Sequence, residues 1–276
     1  MAAEMNEKTV VFITGGNTGI GLATVQALCE SSTPYNIILG SRDEQKGKDA
    51  ATTISSSLPN TRSTINVVPI DLTSDSSITS AVSTLSSSHN GTLDVLINNA
   101  GAALDPAHSQ GKLSTRELWN QSWDINVSGT QVLTELCAPL LLKSSNPRLL
   151  FLTSGTASLA ETERTDGPMY ERINGSPAAG WPKPGFTGTP AYRSVKTGLN
   201  MVAREWRRLL RGDGVKVWLI SPGFLSTGLG GVGAETLREM GAGEPLVGGE
   251  FIRDVVEGKR DEDEGMAIRT GEVQAW

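Results

Sequence analysis

The sequence predicts a doubly wound, parallel α/β sheet flanked by helices, in a single domain spanning residues 1–276, and three observations carry that prediction. Short apolar runs at 9–13, 36–39, 66–70, 93–97, 148–152 and 216–220 alternate with longer helical patterns. The runs are rich in consecutive Val, Ile and Leu, which suits strands covered on both faces. Helix-length segments separate the strands, so successive strands connect by crossovers and lie parallel.

The helical segments fall at 21–31, 44–58, 76–87, 116–142 and 191–210. Two stretches break the rhythm. Five prolines and six glycines lie between residues 155 and 190, where a short connection is due; long loops in a compact domain are commonly functional. The stretch 223–250 is also Gly-rich, with one short helix expected at 234–240. Ser83–Ser88 reads as a solvated helix end, and the charged run 257–264 as surface rather than a site.

Hydrophobic residues make up 38% of the 276-residue chain, enough for a full core without a disulfide or metal staple. A net charge of −6 argues against nucleic-acid and polyanionic-membrane partners, which favour a basic face. Any bound phosphate must therefore be held by local geometry. Cys29 and Cys137, far apart in helical patterns, read as buried thiols. The polar, acid-containing start is unlike a targeting leader. No apolar run approaches the roughly 20 residues that a membrane helix needs, so a cytoplasmic protein is expected. No metal-ligand spacing is present, and His89 and His108 read as surface residues.

The first strand runs into Thr14-Gly15-Gly16-Asn17-Thr18-Gly19-Ile20-Gly21 and then a helix. Glycines there let the backbone turn tightly and approach a pyrophosphate, while the helix start supplies unpaired N–H groups and a positive dipole end. Strand, glycine turn and helix in that order read as a Rossmann-type nucleotide site.

The Gly-x-x-x-Gly-x-Gly spacing resembles the short-chain dehydrogenase/reductase family, and further motifs follow in that family's order from residue 9 to about 227. They are Asn98-Asn99-Ala100-Gly101 after the fourth strand, Asn126 in Asp124-Ile125-Asn126-Val127, Ser154 after the fifth strand, Tyr192-Arg193-Ser194-Val195-Lys196, and Pro222-Gly223 with Thr227 after the sixth. The resemblance implies a cofactor site built from Gly15, Asn17, Thr18, Gly19, Ile20, Gly21, Ser41, Arg42, Asp71, Leu72, Asn99, Ala100, Gly101, Tyr192, Lys196, Pro222, Gly223 and Thr227. Within it Ala100 and Gly101 would wall the adenine–ribose pocket, and Ile20 would lie near the nicotinamide. Asp71 would contact the adenine, or equally cap the following helix. Asn98 reads as a structural tie between strands.

The second strand ends Leu39-Gly40-Ser41-Arg42, with no carboxylate at the tip where NAD-preferring folds place one. A guanidinium suits a 2′-phosphate, and family members with arginine here use NADP(H), so NADP(H) is the expected cofactor. Arg42 could instead be a solvated charge paired with Asp43.

Tyr192 and Lys196 lie four residues apart on one helix face. A phenol titrates near pH ~10 in water, and a nearby ammonium favours the phenolate, making tyrosine a usable acid or base. The resemblance gives Asn126, Ser154, Tyr192 and Lys196 catalytic roles. Ser154 holds a carbonyl oxygen, Tyr192 protonates it, Lys196 bonds the nicotinamide ribose, and Asn126 positions a water. It implies pro-S hydride transfer from NADPH to a ketone or aldehyde. Alcohol oxidation in reverse, a non-redox isomerase or cyclase, and a nucleotide sensor are the competing readings.

Tyr192 lies 38 positions beyond Ser154, against about a dozen in many members of the family. The extra length forms an insertion at 159–190, similar to the carbonyl-reductase-like branch, where such an insertion can cover a dimer-forming helix face; a monomer is therefore expected. Trp181 and Phe186, with Phe224, Leu225 and Leu229 on the 223–250 loop, are expected to line an apolar pocket for a small carbonyl or alcohol substrate. Gly228–Gly233 reads as a mobile lid.

Overall fold

The structure, a computed structural model, describes residues 8–183 and 188–276; the expected pocket residue Phe186 lies outside the described residues. All six expected strands are present: β1 (Thr9–Thr14), β2 (Tyr35–Ser41), β3 (Thr64–Pro69), β4 (Val95–Asn98), β5 (Arg148–Leu152) and β6 (Lys216–Ser221). Two short strands, β7 (Ala267–Arg269) and β8 (Glu272–Val273), extend them into one sheet ordered β3-β2-β1-β4-β5-β6-β7-β8. Every pairing is parallel except β7 with β8.

The flanking helices include α1 (Gly19–Glu30), α2 (Glu44–Ser57), α3 (Asp75–Ser87), α4 (Asp105–Ser109), α5 (Thr115–Trp123), α6 (Gly129–Leu141), α7 (Pro168–Asn174), α8 (Pro190–Leu210), α9 (Ala234–Glu239) and α10 (Pro245–Val256). Alternation along each strand sends side chains to opposite faces. Val10 and Phe12 join the layer with Ile78 of α3, Leu133 of α6 and Leu199 of α8. Val11 and Ile13 join the other, with Leu28 of α1, Ile54 of α2 and Ile252 of α10. The continuous apolar runs thus reflect burial on both faces.

Three regions depart from the sequence expectations. The single helix expected at 116–142 is α5 and α6 joined by a π-helical turn, Asp124–Ser128, which carries Asn126. Helix α10 begins at Pro245, inside the stretch 223–250 read as loop, and runs on past its end. Its two glycines hide it from propensity reasoning, yet a Cβ on Gly249 would lie 2.4 Å from the Ala23 backbone, so glycine lets α10 sit directly on α1. The charged run 257–264 is not merely solvated surface. Arg148, 4% exposed on β5, donates to Asp261 at 2.6 and 3.0 Å and to Val255 O at 3.0 Å. Lys216 reaches the same carboxylate at 2.5 Å. A buried guanidinium requires such partners, and their spacing along the chain gives no sign of the pairing.

Cys29 and Cys137 are buried as expected, and burial pushes their thiols up to about 11 and about 12. His89 and His108 are each half-buried, with ring-nitrogen contacts to Asn36 and to Leu113 O. Among the described residues, no helix is long and apolar enough to cross a membrane, and no cluster of His, Cys, Asp and Glu could hold a metal.

Candidate active site

Strand register brings the motifs to one edge. Thr14 pairs with Gly40, Ser41 with Pro69, Asn98 with Phe151 and Leu152 with Ile220. The glycine turn, Ser41-Arg42, Asp71-Leu72, Asn99-Ala100-Gly101, Ser154 and Pro222-Gly223 therefore all leave the carboxyl ends of the strands. Strand order reverses between β1 and β4, the switch point where open α/β sheets bind ligands.

The turn from Gly15 to Gly21 has the shape a pyrophosphate needs. Gly15 and Gly19 have φ of +64° and +55°, conformations that L side chains seldom adopt. A Cβ on Gly21 would lie 2.2 Å from Gly15 O, so only glycine lets α1 begin so close to the turn. Thr18, at the N-cap, makes no side-chain capping bond, and the first turn of α1 holds no acid. Its leading N–H groups and positive dipole end are thus uncontested for an anion. Asn17 and Ile20 are half-buried in this turn and Thr18 is exposed. A Cβ on Gly19 would meet Thr227 at 3.4 Å, which brings the loop after β6 against the turn.

Thr14, which sequence reasoning left out of the site, braces this region. Its Oγ1 accepts from the N–H groups of Asn99 (3.1 Å) and Ala100 (3.0 Å). Asn99 Nδ2 in turn donates to Thr14 O (2.7 Å) and Gly15 O (3.3 Å). The tie between strands therefore falls to Asn99, whereas Asn98 bonds Thr134 of α6 at 3.0 Å.

Beyond β2, Ser41 is buried and donates to Asp43 O at 2.7 Å. Arg42 is exposed and makes no ion pair among the described residues. Asp43 instead caps α2 through Lys46 N (3.1 Å) and lies 3.9 Å from Lys46 Nζ, so the expected alternative pairing with Arg42 is not formed. Asp71 accepts from Thr73 N (3.0 Å) and Oγ1 (2.8 Å). Chiefly the Thr73 N–H, with Arg42 a smaller contribution, holds its carboxyl below the usual range. Ser74, not Asp71, caps α3. Leu72 is buried beside them.

The four expected catalytic residues converge beyond β4 and β5. Asn126 is fully buried on the π-helical turn; its Nδ2 donates to Ala102 O (3.0 Å) and Ser122 O (2.9 Å), and its Oδ1 accepts from Ala102 N (3.3 Å). Such turns displace a side chain from regular helical register and recur at functional sites. A Cβ on Gly101 would lie 2.6 Å from Asn126 Oδ1 and 3.2 Å from Lys196 Nζ, so all three adjoin. Lys196 donates to Leu152 O at 2.8 Å, and burial lowers its ammonium to about 8.

Tyr192 is half-buried, with its phenol near the Ser154 hydroxyl. Burial pushes its phenol up to about 12, the Ser154 hydroxyl acting the other way. Lys196 Nζ is 5.8 Å from the ring centroid. Burial of the phenol thus acts against the lowering that the sequence leads one to expect from the nearby ammonium. Ser154 Oγ also meets Thr156 Oγ1 at 2.9 Å and accepts from Thr156 N at 3.2 Å.

Several supporting residues carry no local sequence signal. Asn200, buried one turn beyond Lys196, bonds Thr153 Oγ1 next to Ser154; in the amide orientation that suits its neighbours, it also bonds Lys196 O (3.2 Å) and Trp276 Nε1 (2.6 Å). Arg193, beside Tyr192, donates to Thr156 O (3.0 Å), Ile173 O (2.6 Å) and Asn174 Oδ1 (2.8 Å), tying α7 to the site.

Beyond Pro222-Gly223, Leu225 is buried while Phe224 and Leu229 are exposed; Arg172 of α7 stacks over Phe224 at 4.7 Å. Trp181, expected to line the pocket, is 88% exposed. The turn Leu229–Gly231 lies in the expected lid. Described parts of the insertion lie against Arg193 and Phe224, and the α5–α8 face with Trp123, Met201 and Leu209 stays exposed.

A family model for short chain dehydrogenase matches residues 9–166. A short-chain dehydrogenase/reductase of Phoma sp, eupG, is 48% identical over 98% of both chains, and tropE of Talaromyces stipitatus is 40% identical over 99% of both. Among solved structures, an NADPH-bound carbonyl reductase from chicken fatty liver superposes with a TM-score of 0.75 at 23% identity, covering 98% of this chain and 99% of that one. At that identity the likeness speaks for the fold. The glycine turn, the Asn126–Ser154–Tyr192–Lys196 cluster and these relatives together establish that the chain belongs to the short-chain dehydrogenase/reductase family of oxidoreductases.

Proposed function

We propose that this chain is an NADPH-dependent reductase of a ketone or aldehyde on a small, largely apolar molecule. The observation that carries the reading is the convergence of Ser154, Tyr192 and Lys196 at the carboxyl edge, with Lys196 Nζ 5.8 Å from the Tyr192 ring and bonded to Leu152 O. Bound in the glycine turn, with its 2′-phosphate at Arg42, the nicotinamide cofactor would supply the hydride. Tyr192 gives its phenol proton to the carbonyl oxygen that Ser154 orients. Lys196, anchored on Leu152 O and adjoining Gly101, holds the ribose side of the site and relays a proton through the Asn126 region. Run backwards, the same phenol oxygen would take the proton from an alcohol, so the preference for reduction rests on the cofactor and not on Tyr192.

Arg42 supports NADPH because it is exposed at the tip of β2 with no carboxylate pairing it among the described residues. The structural relative from chicken liver was solved with NADPH, consistent with the same choice. Two buried free thiols suit a reducing, cytoplasmic setting.

The test is equilibrium binding of NADPH and NADH to the wild type and Arg42→Ala, followed by turnover of a panel of alkyl and aryl ketones with Tyr192→Phe as control. A preference for NADPH that collapses in Arg42→Ala, with turnover lost in Tyr192→Phe, is expected. Equal affinities would refute the Arg42 assignment, and unaltered turnover in Tyr192→Phe would refute the proton donor.

A further inference from the structure

We propose that Asp105 is a positioning residue that sets the Tyr192 phenol through the start of α8, a role that rests on the proton-donor reading above. Helix α8 begins without local support. Thr189, at its N-cap, makes no side-chain capping bond, Pro190 brings no N–H, and its first turn has no acid. The N–H groups of Ala191 and Tyr192 lie in the first turn, before intrahelical partners exist. Both are taken by one carboxylate from far along the chain: Asp105 Oδ1 accepts from Ala191 N at 2.9 Å and Oδ2 from Tyr192 N at 3.1 Å. Asp105 is 2% exposed, so the carboxylate is shielded from bulk solvent.

The other side of α4 faces the lid. A Cβ on Gly230 would lie 3.6 Å from Pro106 and 3.7 Å from Ala103. Helix α4 thus links the glycine-rich loop beyond β6 to the backbone of the residue that gives the proton. A carboxylate fixed on two amides defines both the position and the tilt of that first turn, which a single capping hydroxyl would not. For comparison, α5 has a local capping box between Ser114 and Glu117 and holds no catalytic side chain.

The experiment compares Asp105→Asn with Ser114→Ala, which removes a cap elsewhere, in protein labelled with 13C at the tyrosine ζ carbon. The chain has three tyrosines, Tyr35, Tyr170 and Tyr192, and Tyr192→Phe assigns the third line. In Asp105→Asn the Tyr192 line should move while the other two stay. The kcat for a reducible ketone should fall about tenfold, with KM and NADPH affinity held within about twofold, as expected of a small misplacement of a reacting group. Ser114→Ala should lower Tm and move neither kcat nor the lines. If Asp105→Asn fails to fold, Asp105→Ser, a shorter neutral acceptor, is read in the same way. A lower Tm with kcat and the Tyr192 line unmoved would overturn the proposal. Should the wild type reduce no ketone, a displaced Tyr192 line still supports the positioning role while the reductase reading falls, and an unmoved line overturns it.

Discussion

The glycine turn at residues 15–21 and the insertion that carries α7 border the same cleft, yet they are built from different materials. The turn is held by backbone against backbone, by absent Cβ atoms and by the Thr14–Asn99 clamp. The insertion is held by long polar side chains. Buried Glu161 accepts from Arg269 (2.8 Å), Arg164 (3.3 Å) and Tyr170 (3.0 Å), while Arg193 grips the end of α7. A backbone-built site tolerates almost no added atom but needs few long-range partners. A side-chain-built one depends on residues scattered over more than a hundred positions. The difference predicts that changes in the turn abolish binding outright, whereas changes in the insertion grade the activity.

The largest effect is expected from Gly21→Leu, whose side chain would drive into Gly15 O. NADPH affinity, read by fluorescence titration, should drop at least about 100-fold, since overpacking against backbone cannot relax locally. Retained affinity would erase the contrast drawn here. Next comes Arg193→Met, which frees α7 while leaving the turn intact; kcat should fall about tenfold, or about 1.4 kcal/mol of barrier, with NADPH affinity unaltered. A parallel loss of cofactor binding would show the two regions to be one unit.

Glu161→Gln is expected to cost about 2 kcal/mol of stability, because the buried carboxylate is replaced by an amide that still accepts but no longer pairs the arginines. Thermal unfolding would measure it, and limited proteolysis should open first at the insertion. The smallest effect is a pH dependence. Burial lowers Lys196 from 10.5 to about 8, so reduction should weaken as pH rises through that value and the ammonium is lost. The sign for stability is the reverse: between about 8 and 10.5 the unfolded chain binds the proton that the folded one has released, so this group makes stability rise with pH. Tyr192 acts oppositely between 10 and about 12, where the unfolded chain gives up its proton first. A kcat/KM profile flat to pH 10 would remove Lys196 from the proton path.

Much of the fold is legible in the sequence. The runs at 9–13 and 148–152 appear as β1 and β5 within one residue, because burial on both faces of a parallel sheet writes itself as continuous Val, Ile and Leu. The Gly15–Gly21 turn and the Tyr192–Lys196 spacing were readable for a related reason: both are short-range constraints of backbone and helix geometry. Helix α10 was not, since Gly248 and Gly249 are poor helix formers whose value appears only in tertiary contact, Gly248 against Leu225 and Pro222 and Gly249 against α1. Nor was the direction of the Tyr192 shift, because a neighbouring ammonium is visible in sequence and the extent of burial is not.

By itself, then, the sequence determined the six-stranded parallel core of the sheet and the glycine turn, since these follow from local periodicity and spacing, while Asn126 and Ser154 were legible only through the family resemblance. Tertiary structure alone decided that Asn99 rather than Asn98 ties the strands, that Asp43 bonds Lys46 rather than Arg42, that Asp261 neutralises Arg148, and that Asp105 holds the start of α8. Each of these is a choice of partner between residues far apart in the chain or competing for one neighbour. A polar group's partner is set by which elements packing brings within about 3 Å, a distance that no local pattern encodes.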